Sequence, residues 1–586
     1  MMVDGGRLFA RQLKREGVDH IFTLCGGQIM PLIYGCREEG IEVIDVRHEN
    51  AGVYAADAYA RASGKPGVML ATVTPGVMQT MQGLFEARAA GSPVLVISAS
   101  VGVDDFDTGA EQDMGMDTIA ILRSNTLWSA KIFETERIPE YVAKAFRQML
   151  GAAPGPVYLE TPVNVMKARV ESNAVLFPQK SRTFAQAFGD PALIDAAADM
   201  LLGAKRPVLA VGDAAVFTAE GGRAAVTALA DRLGMPVYAA TMARGLFGSE
   251  DDALFRIGEG ALCEADVIVT LAAAMNFRLN NGKAPMINEK ARFIQIHPDA
   301  RMIGFNCPAD IGIVAGAGAA ARQLLEAVRA RDARDSSASG DRRTWAKRAL
   351  DLHAAYRAEW DAGYGFRNTL PMHPARLAAE VGKFLNEEAP DWSVAADGGD
   401  AYEWILRAVR AREPGQIVGY AANGTIGTGQ GFAMGLWRAR GKPVLEYTGD
   451  GSIGFHLGEF DTMARFGMRI ICVVSNDAQW GMVKMAETMR NADAVQKGYI
   501  ATTLAERRYE KIAEALGGHG EYVEDIKDVI PAIRRAYRSG KPSIVNVKVA
   551  DGRPCPFTVA YGCGGRPLTR EEIAAYYAKD ATSVEK

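Results

Sequence analysis

The 586-residue sequence has few cysteines and no spacing of them that suits a metal. The seven cysteines are scattered and odd in number, so reduced thiols in a cytoplasmic protein are expected. No apolar run approaches the ~20 residues that cross a bilayer, and residues 1–16 carry too many charges for a signal peptide. The sequence therefore predicts a cytoplasmic protein with no membrane partner.

The sequence also lacks a large excess of either positive or negative charge. Sixty-six Lys and Arg residues against 70 Asp and Glu residues give a formal net charge of −4, and no long basic run occurs. This balance argues against nucleic acid as a partner. No Gly-x-Gly-x-x-Gly sequence opens a helix after the early strands, which argues against a NAD-dependent dehydrogenase.

Short apolar strands alternate with helical stretches in three series along the chain. Single cores stop growing at roughly 250–300 residues, so about three domains are expected. The alternation predicts an α/β fold of three doubly wound parallel-sheet domains. Within the first domain, Pro75 and Gly76 are predicted to form a turn. The predicted bounds are residues 1–170, 190–330 and 371–551, with an exposed linker at 329–343 and a C-terminal tail at 552–586.

Two strands late in the chain end in polar residues. The first ends in Gly449-Asp450-Gly451, and the next ends in Asn476-Asp477. The carboxyl ends of parallel strands meet at one edge of a sheet, where ligands bind. Glycines let the backbone approach a diphosphate, and carboxylates suit Mg²⁺. A lone Gly-Asp-Gly is usually a tight turn, so only the strand–helix–strand frame favours a binding site.

This layout resembles the signature of thiamine-diphosphate enzymes, in which Gly-Asp-Gly precedes Asn-Asn or a close variant by two dozen or so residues. The resemblance covers residues 1–550 and is closest to the acetolactate synthase-like branch. It implies thiamine diphosphate and Mg²⁺ as cofactors. Asp450 and Asp477 are the implied metal ligands, with the backbone carbonyl of Gln479 as a third and Asn476 as a weaker candidate.

A candidate catalytic acid lies early in the chain. The sequence Arg47-His48-Glu49-Asn50-Ala51 resembles the family's Arg-His-Glu-x-Ala segment. In the family this glutamate hydrogen-bonds the aminopyrimidine ring and helps to remove the thiazolium proton. Alternatively, Glu49 is an ordinary first-turn glutamate favoured by the helix dipole. The metal pattern in the same chain favours the catalytic interpretation.

Further motifs match the family in register. Residues 72–79 resemble the turn along the pyrimidine, and 397–400 resemble a diphosphate-side loop. Residues 423–429 resemble the loop that bends the cofactor, in which Ile426 is either the apolar wedge or a core residue. The cofactor-binding residues that the resemblance implies are Pro75, Gly76, Gln79, Gly398, Gly399, Asp400, Gly424, Ile426, Gly449, Gly451, Ser452, Asn476, Gly481 and Met482.

The substrate site is predicted in less detail. Residues 109–113 resemble the Ala-Phe-Gln-Glu segment and place Gln112 beside the reacting carbons. Gln28 stands in the early loop where many relatives have histidine, and it can bond a carbonyl but cannot exchange protons near neutral pH. Trp480 and Val483 are further candidates for the pocket of a small carbonyl substrate.

The implied activity is decarboxylation and carboligation of a 2-oxo acid. The alternatives are an acyl-CoA lyase or decarboxylase of the oxalyl-CoA type, and a hydrolase or lyase of a 1,2-diketone. Intact Glu49 and metal positions argue against a non-catalytic subunit. Arg244 and Arg278 are candidate contacts for FAD or ADP in the middle domain, with FAD favoured and an empty site left open. The resemblance implies a homodimer as the minimum unit, and a homotetramer is expected.

Overall fold

The computed structural model describes residues 1–109, 116–183, 187–213, 215, 222–246, 259–332, 339–363, 370–490, 497–550, 555 and 558. Three parallel sheets lie in sequence along the chain, each flanked by helices. The predicted α/β architecture of three doubly wound parallel-sheet domains is confirmed, while the domain bounds stay predictions.

The N-terminal domain is built on a six-stranded sheet. Its strands are β2 (His20–Thr23), β3 (Glu42–Asp45), β4 (Gly67–Ala71), β5 (Val94–Ser100), β6 (Trp128–Lys131) and β7 (Val157–Pro162), in the order β3-β2-β4-β5-β7-β6. A small antiparallel pair joins β1 (Met2–Asp4) to β8 (Arg169–Glu171). The helices are α1 (Gly5–Arg15), α2 (Met30–Glu38), α3 (Glu49–Ser63), α4 (Thr74–Gln79), α5 (Met81–Ala90), α6 (Thr118–Leu122), α7 (Ile138–Met149) and α8 (Val163–Lys167).

The middle domain has a five-stranded sheet. Its strands are β9 (Pro207–Val211), β10 (Val237–Ala239), β11 (Val267–Leu271), β12 (Arg292–His297) and β13 (Ile311–Val314), in the order β10-β9-β11-β12-β13. The helices are α9 (Pro191–Leu202), α10 (Gly222–Leu233), α11 (Glu259–Leu262), α12 (Ala317–Asp332) and α13 (Ser339–Gly363).

The C-terminal domain repeats the six-stranded arrangement. Its strands are β14 (Ser393–Ala396), β15 (Ile417–Gly419), β16 (Val444–Gly449), β17 (Ile470–Asn476), β18 (His519–Val523) and β19 (Ser543–Lys548), in the order β15-β14-β16-β17-β19-β18. The helices are α14 (Pro374–Glu387), α15 (Asp400–Ala408), α16 (Gly429–Arg440), α17 (Asp450–Ile453), α18 (Glu459–Arg465), α19 (Gly481–Arg490), α20 (Tyr509–Ala515) and α21 (Ile526–Ser539).

Two local predictions are wrong. Helix α12 runs to Asp332 and α13 begins at Ser339, so most of the described part of the predicted linker at 329–343 is helical. Charged residues gave the segment the composition of a linker, although Arg342 within it is buried. Trp345, just beyond it, is also buried, and its indole nitrogen donates to the Pro207 carbonyl at 2.9 Å. Pro75 lies in the first turn of α4 instead of a loop turn, a place where proline's missing N–H has no cost.

The N-terminal and C-terminal domains share one hydrophobic core, in which α3 packs against α16. The helices approach closely because α16 has glycines at the crossing. A Cβ at Gly435 would lie 2.2 Å from the Ala55 carbonyl oxygen, and one at Gly431 would lie 2.5 Å from the Tyr54 Cβ. This crossing therefore joins the domain that carries Glu49 to the domain that carries Asp450.

A buried ion cluster crosses the same boundary. The Arg61 guanidinium contacts Asp57, with Nε donating to Oδ1 at 2.8 Å, and Glu86, with Nη2 donating to Oε1 at 2.8 Å. Its Nη1 also donates to the Gly419 carbonyl at 2.8 Å, and the amide of Ala421 donates to Glu86 at 2.6 Å. The cluster thus fixes the chain leading into residues 423–429.

No described helix has the length and apolar character needed to cross a membrane. The six cysteines within the described ranges are all free thiols, and Cys563 lies outside those ranges.

Candidate active site

A cavity of about 130 Å³ opens at the carboxyl ends of the central strands of the C-terminal domain. Both polar strand ends that the sequence singles out face it. The lining residues are Pro374, Gly399, Asp400, Ala401, Trp404, Ile426, Gly449, Asp450, Gly451, Ser452, Ser475, Asp477, Gln479, Trp480, Gly481, Met482 and Val483.

Asp450 and Asp477 lie side by side in this cavity. The pKa of Asp450 is raised, first by burial and then by the neighbouring carboxylate of Asp477. Gln479 bridges them, because its amide nitrogen donates to Asp450 Oδ2 at 3.1 Å and its side-chain amide donates to Asp477 Oδ2 at 2.8 Å. A buried carboxylate beside a half-buried one that repels it fits a divalent cation. Among the described residues, no group of three or more His, Cys, Asp or Glu could hold a metal, so a cation here needs oxygens from a bound ligand.

The loop beside the metal strands fits a diphosphate. Gly398 has a φ of 94°, and a Cβ there would lie 3.3 Å from both the Gly449 amide nitrogen and the Ser452 hydroxyl. A Cβ at Gly451 would lie 2.6 Å from the Trp480 ring. Only glycine combines this backbone conformation with such close approaches. Gly449 and Gly451 line the cavity, so phosphate oxygens in it could approach their backbone closely.

Residue 400 lies at a contact with the C-terminal tail. The Asp400 carboxylate accepts hydrogen bonds from the Cys555 amide at 2.9 Å and from the Thr558 hydroxyl at 2.6 Å. Burial raises the pKa of Asp400 to about 6. Because Asp400 also lines the cavity, these two tail residues stand directly behind the candidate cofactor site, a position that the composition of the tail did not predict.

The loop that carries Ile426 is held in place by hydrogen bonds to both backbone groups of Gly427, the residue after Ile426. The amide of Gly427 donates to Asp397 Oδ1 at 3.1 Å, and its carbonyl lies 2.7 Å from His456 Nδ1. Asp397 also accepts from the amide of Gly429 at 3.0 Å. Ile426 is half-buried and lines the cavity, which suits an apolar wedge as well as a core residue. Gly424 is exposed in the left-handed conformation, at a φ of 69°.

Glu49 lies in the N-terminal domain as the first residue of α3. It is 7% exposed, and burial raises the pKa of its carboxyl group. A Cβ at Gly76 would lie 2.9 Å from Glu49 Oε1. Thr72 borders the same position and donates to Gln28 Oε1 at 3.2 Å. The structure thus brings the predicted acid, the pyrimidine-side turn and the early-loop glutamine together.

The remaining candidates are distributed unevenly. Trp480, Met482 and Val483 line the cavity, whereas Pro75 and Gln79 are exposed on α4. The side chain of Asn476 points away, donating to the Asn546 side chain at 3.0 Å, and Gln112 lies outside the described residues. The roles of all these residues stay predictions.

A second cavity, of about 310 Å³, lies between the middle domain and its neighbours. Arg278 lines it, but its Nη2 donates to the carbonyls of Tyr420 at 3.2 Å and Ala421 at 3.3 Å. Arg244 is not among the lining residues and donates to the Leu406 carbonyl at 2.9 Å. Both arginines bind backbone oxygens of the C-terminal domain, an arrangement that the sequence did not indicate.

Two other arginines face the same cavity. Arg88 comes from the N-terminal domain, and its Nη1 is buried with no hydrogen-bond partner among the described residues. Burial and then the charge of Arg301 lower the pKa of Arg88, while Arg301 pairs with Asp299. Two cations with one carboxylate between them favour an anionic ligand. No local sequence signal marks this group, because its members lie in different domains.

Several residues of the first cavity were also missed. Pro374 and Trp404 line it from helices α14 and α15. Lys484 approaches its metal side, with Nζ 2.5 Å from Gln479 Oε1. Lys484 follows Trp480 by four residues, so the helical period places it on the same face, a signal that was available in the sequence.

Comparison with known proteins agrees with this geometry. The chain matches the thiamine pyrophosphate enzyme N-terminal TPP binding domain over residues 3–121, the central domain over 194–324 and the C-terminal TPP binding domain over 397–547. It is 29% identical to "2-hydroxyacyl-CoA lyase 2" of Caenorhabditis elegans, over 93% of this chain and 89% of the relative. It is 28% identical to "Probable acetolactate synthase" of Mycobacterium bovis, over 92% and 95%.

The three matched domains follow one another in the order of the three sheets, and each relative is covered almost from end to end. The predicted need for thiamine diphosphate is confirmed at the level of the family. The chain belongs to the thiamine pyrophosphate enzymes and is a thiamine-diphosphate-dependent enzyme that makes or breaks carbon–carbon bonds.

Proposed function

We propose that the protein decarboxylates a 2-oxo acid and joins the remaining fragment to a second carbonyl compound, with Mg²⁺ holding thiamine diphosphate. The observation that carries the proposal is the adjacent pair of carboxylates, Asp450 and Asp477, that lines the glycine-containing cavity. Asp450, Asp477 and the carbonyl of Gln479 would bind the metal. Thiamine diphosphate, when bound, supplies the electron sink for chemistry next to a carbonyl.

The protein's own residues bind, orient and hold a proton. Gly449 and Gly451 line the cavity that would take the diphosphate, and Ile426 gives the cavity an apolar wall. Glu49 would exchange a proton through a buried carboxyl group whose pKa burial raises. Trp480 and Val483 would border the substrate, since they line the open side of the cavity.

The experiment is turnover of pyruvate by protein stripped of cofactor, with thiamine diphosphate and Mg²⁺ added together or singly. Products are identified by mass spectrometry. We expect acetolactate or another acyloin only when both are present. Pyruvate left intact by protein that binds thiamine diphosphate would contradict the 2-oxo acid and direct the search to acyl-CoA and 1,2-diketone substrates.

Cleavage of a 2-hydroxyacyl-CoA is the second candidate. It is favoured by the relative of that name and by the arginine-lined cavity, since Arg88, Arg278 and Arg301 suit the phosphates of a coenzyme A nucleotide. The test is release of an aldehyde from a 2-hydroxyacyl-CoA, compared with the free 2-hydroxy acid. Equal rates on both would show that the CoA part is not recognised.

The same cavity is our proposed site for FAD, with ADP as the alternative. Asp213 and Asp299 stand near the arginines and suit the hydroxyl groups of a ribose. Absorbance near the flavin bands of freshly purified protein, followed by titration with FAD and with ADP, distinguishes the two. Arg88→Met should weaken the ligand that binds, whereas Arg137→Met on the exposed surface should not.

We propose a homodimer as the minimum active unit, assembling into a homotetramer in the cytoplasm. Glu49 and Gln28 are not among the residues that line the Asp450 cavity, so one copy's acid would serve the cavity of another. Tyr34 and Phe85 are exposed apolar residues of the N-terminal domain and suit an interface. Mass photometry measures the assembly, and an active monomer would contradict it.

A further inference from the structure

Glu459, the first residue of α18, has its carboxylate against the chain that precedes Glu49. Oε1 accepts from the amides of Arg47 at 3.0 Å and His48 at 2.9 Å. Oε2 accepts from the Arg47 amide at 3.2 Å and from the Thr462 hydroxyl at 2.8 Å. The side chain is completely buried, and it reaches from the C-terminal domain to the N-terminal domain.

These contacts fix the first turn of α3. His48 is the N-cap residue, because its Nδ1 accepts from the Asn50 amide at 3.1 Å, and Glu49 follows as the first helical residue. The amides before a helix have no partner within it and need an acceptor from elsewhere. Glu459 is that acceptor, so the backbone direction at Glu49 depends on a residue 410 positions further along the chain.

The hydrogen bonds from the Arg47 and His48 amides and from the Thr462 hydroxyl stabilise the ionised form of Glu459. Burial raises the pKa of Glu459 to about 7, whereas the Thr462 hydroxyl and the amides of Arg47 and His48 lower it. Accepting four hydrogen bonds uses both oxygens of an ionised carboxylate. An amide in its place would turn two N–H donors toward a neighbouring N–H or hydroxyl group.

The segment that carries Glu459 also contacts the cofactor loops. His456 lies 2.7 Å from the Gly427 carbonyl, and its ring meets that of His48 edge to face at 5.2 Å. The segment begins directly after α17, whose first residue is Asp450. One short stretch of chain therefore connects the metal loop, the Ile426 loop and the turn before Glu49.

We propose that Glu459 is a positioning residue that sets Glu49 against the cofactor's aminopyrimidine ring. The inference rests on the proposed function, because it assigns Glu49 the role of the catalytic acid. Loss of the acceptor should leave Glu49 chemically intact but displaced, and a misplacement of about 1 Å can cost ~10²-fold in rate.

The test compares Glu459→Gln with Glu388→Gln, a control in the same domain whose carboxylate pairs with Arg534 at 2.5 Å on the surface. Hydrogen exchange by mass spectrometry, on the full chain without cofactor, reports the amides of residues 46–50. The exchange rate of the thiazolium proton, followed by proton NMR with thiamine diphosphate and Mg²⁺ bound, measures how well Glu49 is placed to assist removal of that proton. Calorimetry gives the dissociation constant of thiamine diphosphate.

In Glu459→Gln we expect faster exchange at residues 46–50 and thiazolium exchange slowed about 10–100-fold, with an unchanged dissociation constant. Glu388→Gln should match the wild type in all three measurements. If Glu459→Gln does not fold, Thr462→Val removes one donor to the same carboxylate and should show the same changes to a smaller degree.

Thiazolium exchange at the wild-type rate in a folded variant would overturn the proposal. A variant in which thiazolium exchange slows and the affinity for thiamine diphosphate also falls would overturn the proposal too, because that result indicates general damage to the cofactor site. If the wild type itself does not accelerate thiazolium exchange over free thiamine diphosphate, the proposed function fails and the positioning role fails with it. Amide exchange at residues 46–50 then still shows whether the Glu459 contact exists.

Discussion

The amide nitrogen of Gln479 lies 3.1 Å from Oδ2 of Asp450, joining the loops after two neighbouring parallel strands. This contact holds the Asp450 carboxylate near that of Asp477 without a cation between them. The cofactor-free protein therefore keeps an electrostatic repulsion that ligand binding would remove.

Asp450→Asn should change affinity and stability in opposite directions. It removes a metal ligand, so the affinity for Mg²⁺ and thiamine diphosphate together should fall at least ~100-fold, since even outer-shell changes cost 10–100-fold. It also removes the repulsion with Asp477, so the melting temperature of the cofactor-free protein should rise. Calorimetry and thermal unfolding measure the two effects.

The matched control is Asp391→Asn, whose carboxylate pairs with Lys442 at 3.1 Å on the surface of the same domain. Neither quantity should change there. Unaltered cofactor affinity in Asp450→Asn would remove Asp450 from the metal site.

Glu49→Gln should keep the fold and the cofactor but lose most turnover. A positioned acid is typically worth ~10²–10⁴ in rate, and the amide cannot take or give the proton. Turnover of the substrate identified by product analysis gives the rate, and calorimetry gives cofactor affinity. Glu42→Gln is the control, since Glu42 pairs with Arg438 at the surface of a nearby strand. Near-normal turnover would exclude Glu49 from the mechanism.

The stabilisation that Mg²⁺ and thiamine diphosphate give should grow with pH. Folding raises the pKa of Asp400 to about 6 and that of Glu459 to about 7, and it raises that of Asp450. A carboxyl group with a raised pKa stabilises the fold below its unfolded pKa, and this contribution is lost as pH rises through the folded pKa. The metal would bind the ionised carboxylate of Asp450. Metal binding should therefore compensate for the folding stability that the cofactor-free protein loses as pH rises.

The measurement is the melting temperature with and without Mg²⁺ and thiamine diphosphate, from pH 5 to pH 8. Groups far from the site cancel in the difference between the two curves. We expect that difference to widen with pH. A constant difference would mean that the cavity carboxylates do not change their protonation on binding.

Arg61→Met should destabilise the junction of the outer domains. Removing one partner of a buried ion cluster typically costs about 3–5 kcal/mol, because Asp57 and Glu86 would stay buried without their cation. Urea unfolding should show a lower midpoint. Arg137→Met removes an arginine from an exposed pair with Glu140 and should leave the midpoint almost unchanged. Equal midpoints for both variants would contradict a structural role for the Arg61 cluster.

The sequence was most informative where a strand end or a site residue is marked by a short motif of adjacent residues. The sequence analysis placed the end of strand β16 at the Gly449-Asp450-Gly451 motif, and the strand ends at Gly449. Asp450, Asp477, Ile426 and Glu49 were predicted as site residues from short motifs. The structure places the first three at one cavity and Glu49 at the start of a buried helix, while their roles stay predictions.

Contacts between distant segments could not be predicted in this way. Glu459 bonds the amide of Arg47 across 412 positions, and the binding of Arg278 to the Tyr420 carbonyl depends on how two domains meet. Helix α13 was missed because its charged faces have the composition of a linker. In each case the residue contacts a backbone group or a hydrophobic core from a distant part of the chain, and local composition does not reveal that contact.

The close crossing of α3 and α16 has a consequence during protein synthesis. Phe22 and Phe432 belong to one core, so the first domain cannot complete its interior until Gly435 has left the ribosome. At about 5–20 residues per second, the nascent N-terminal segment waits for tens of seconds with apolar surface uncovered. Chaperones that bind nascent chains should therefore contact this protein during the interval in which its middle domain is translated.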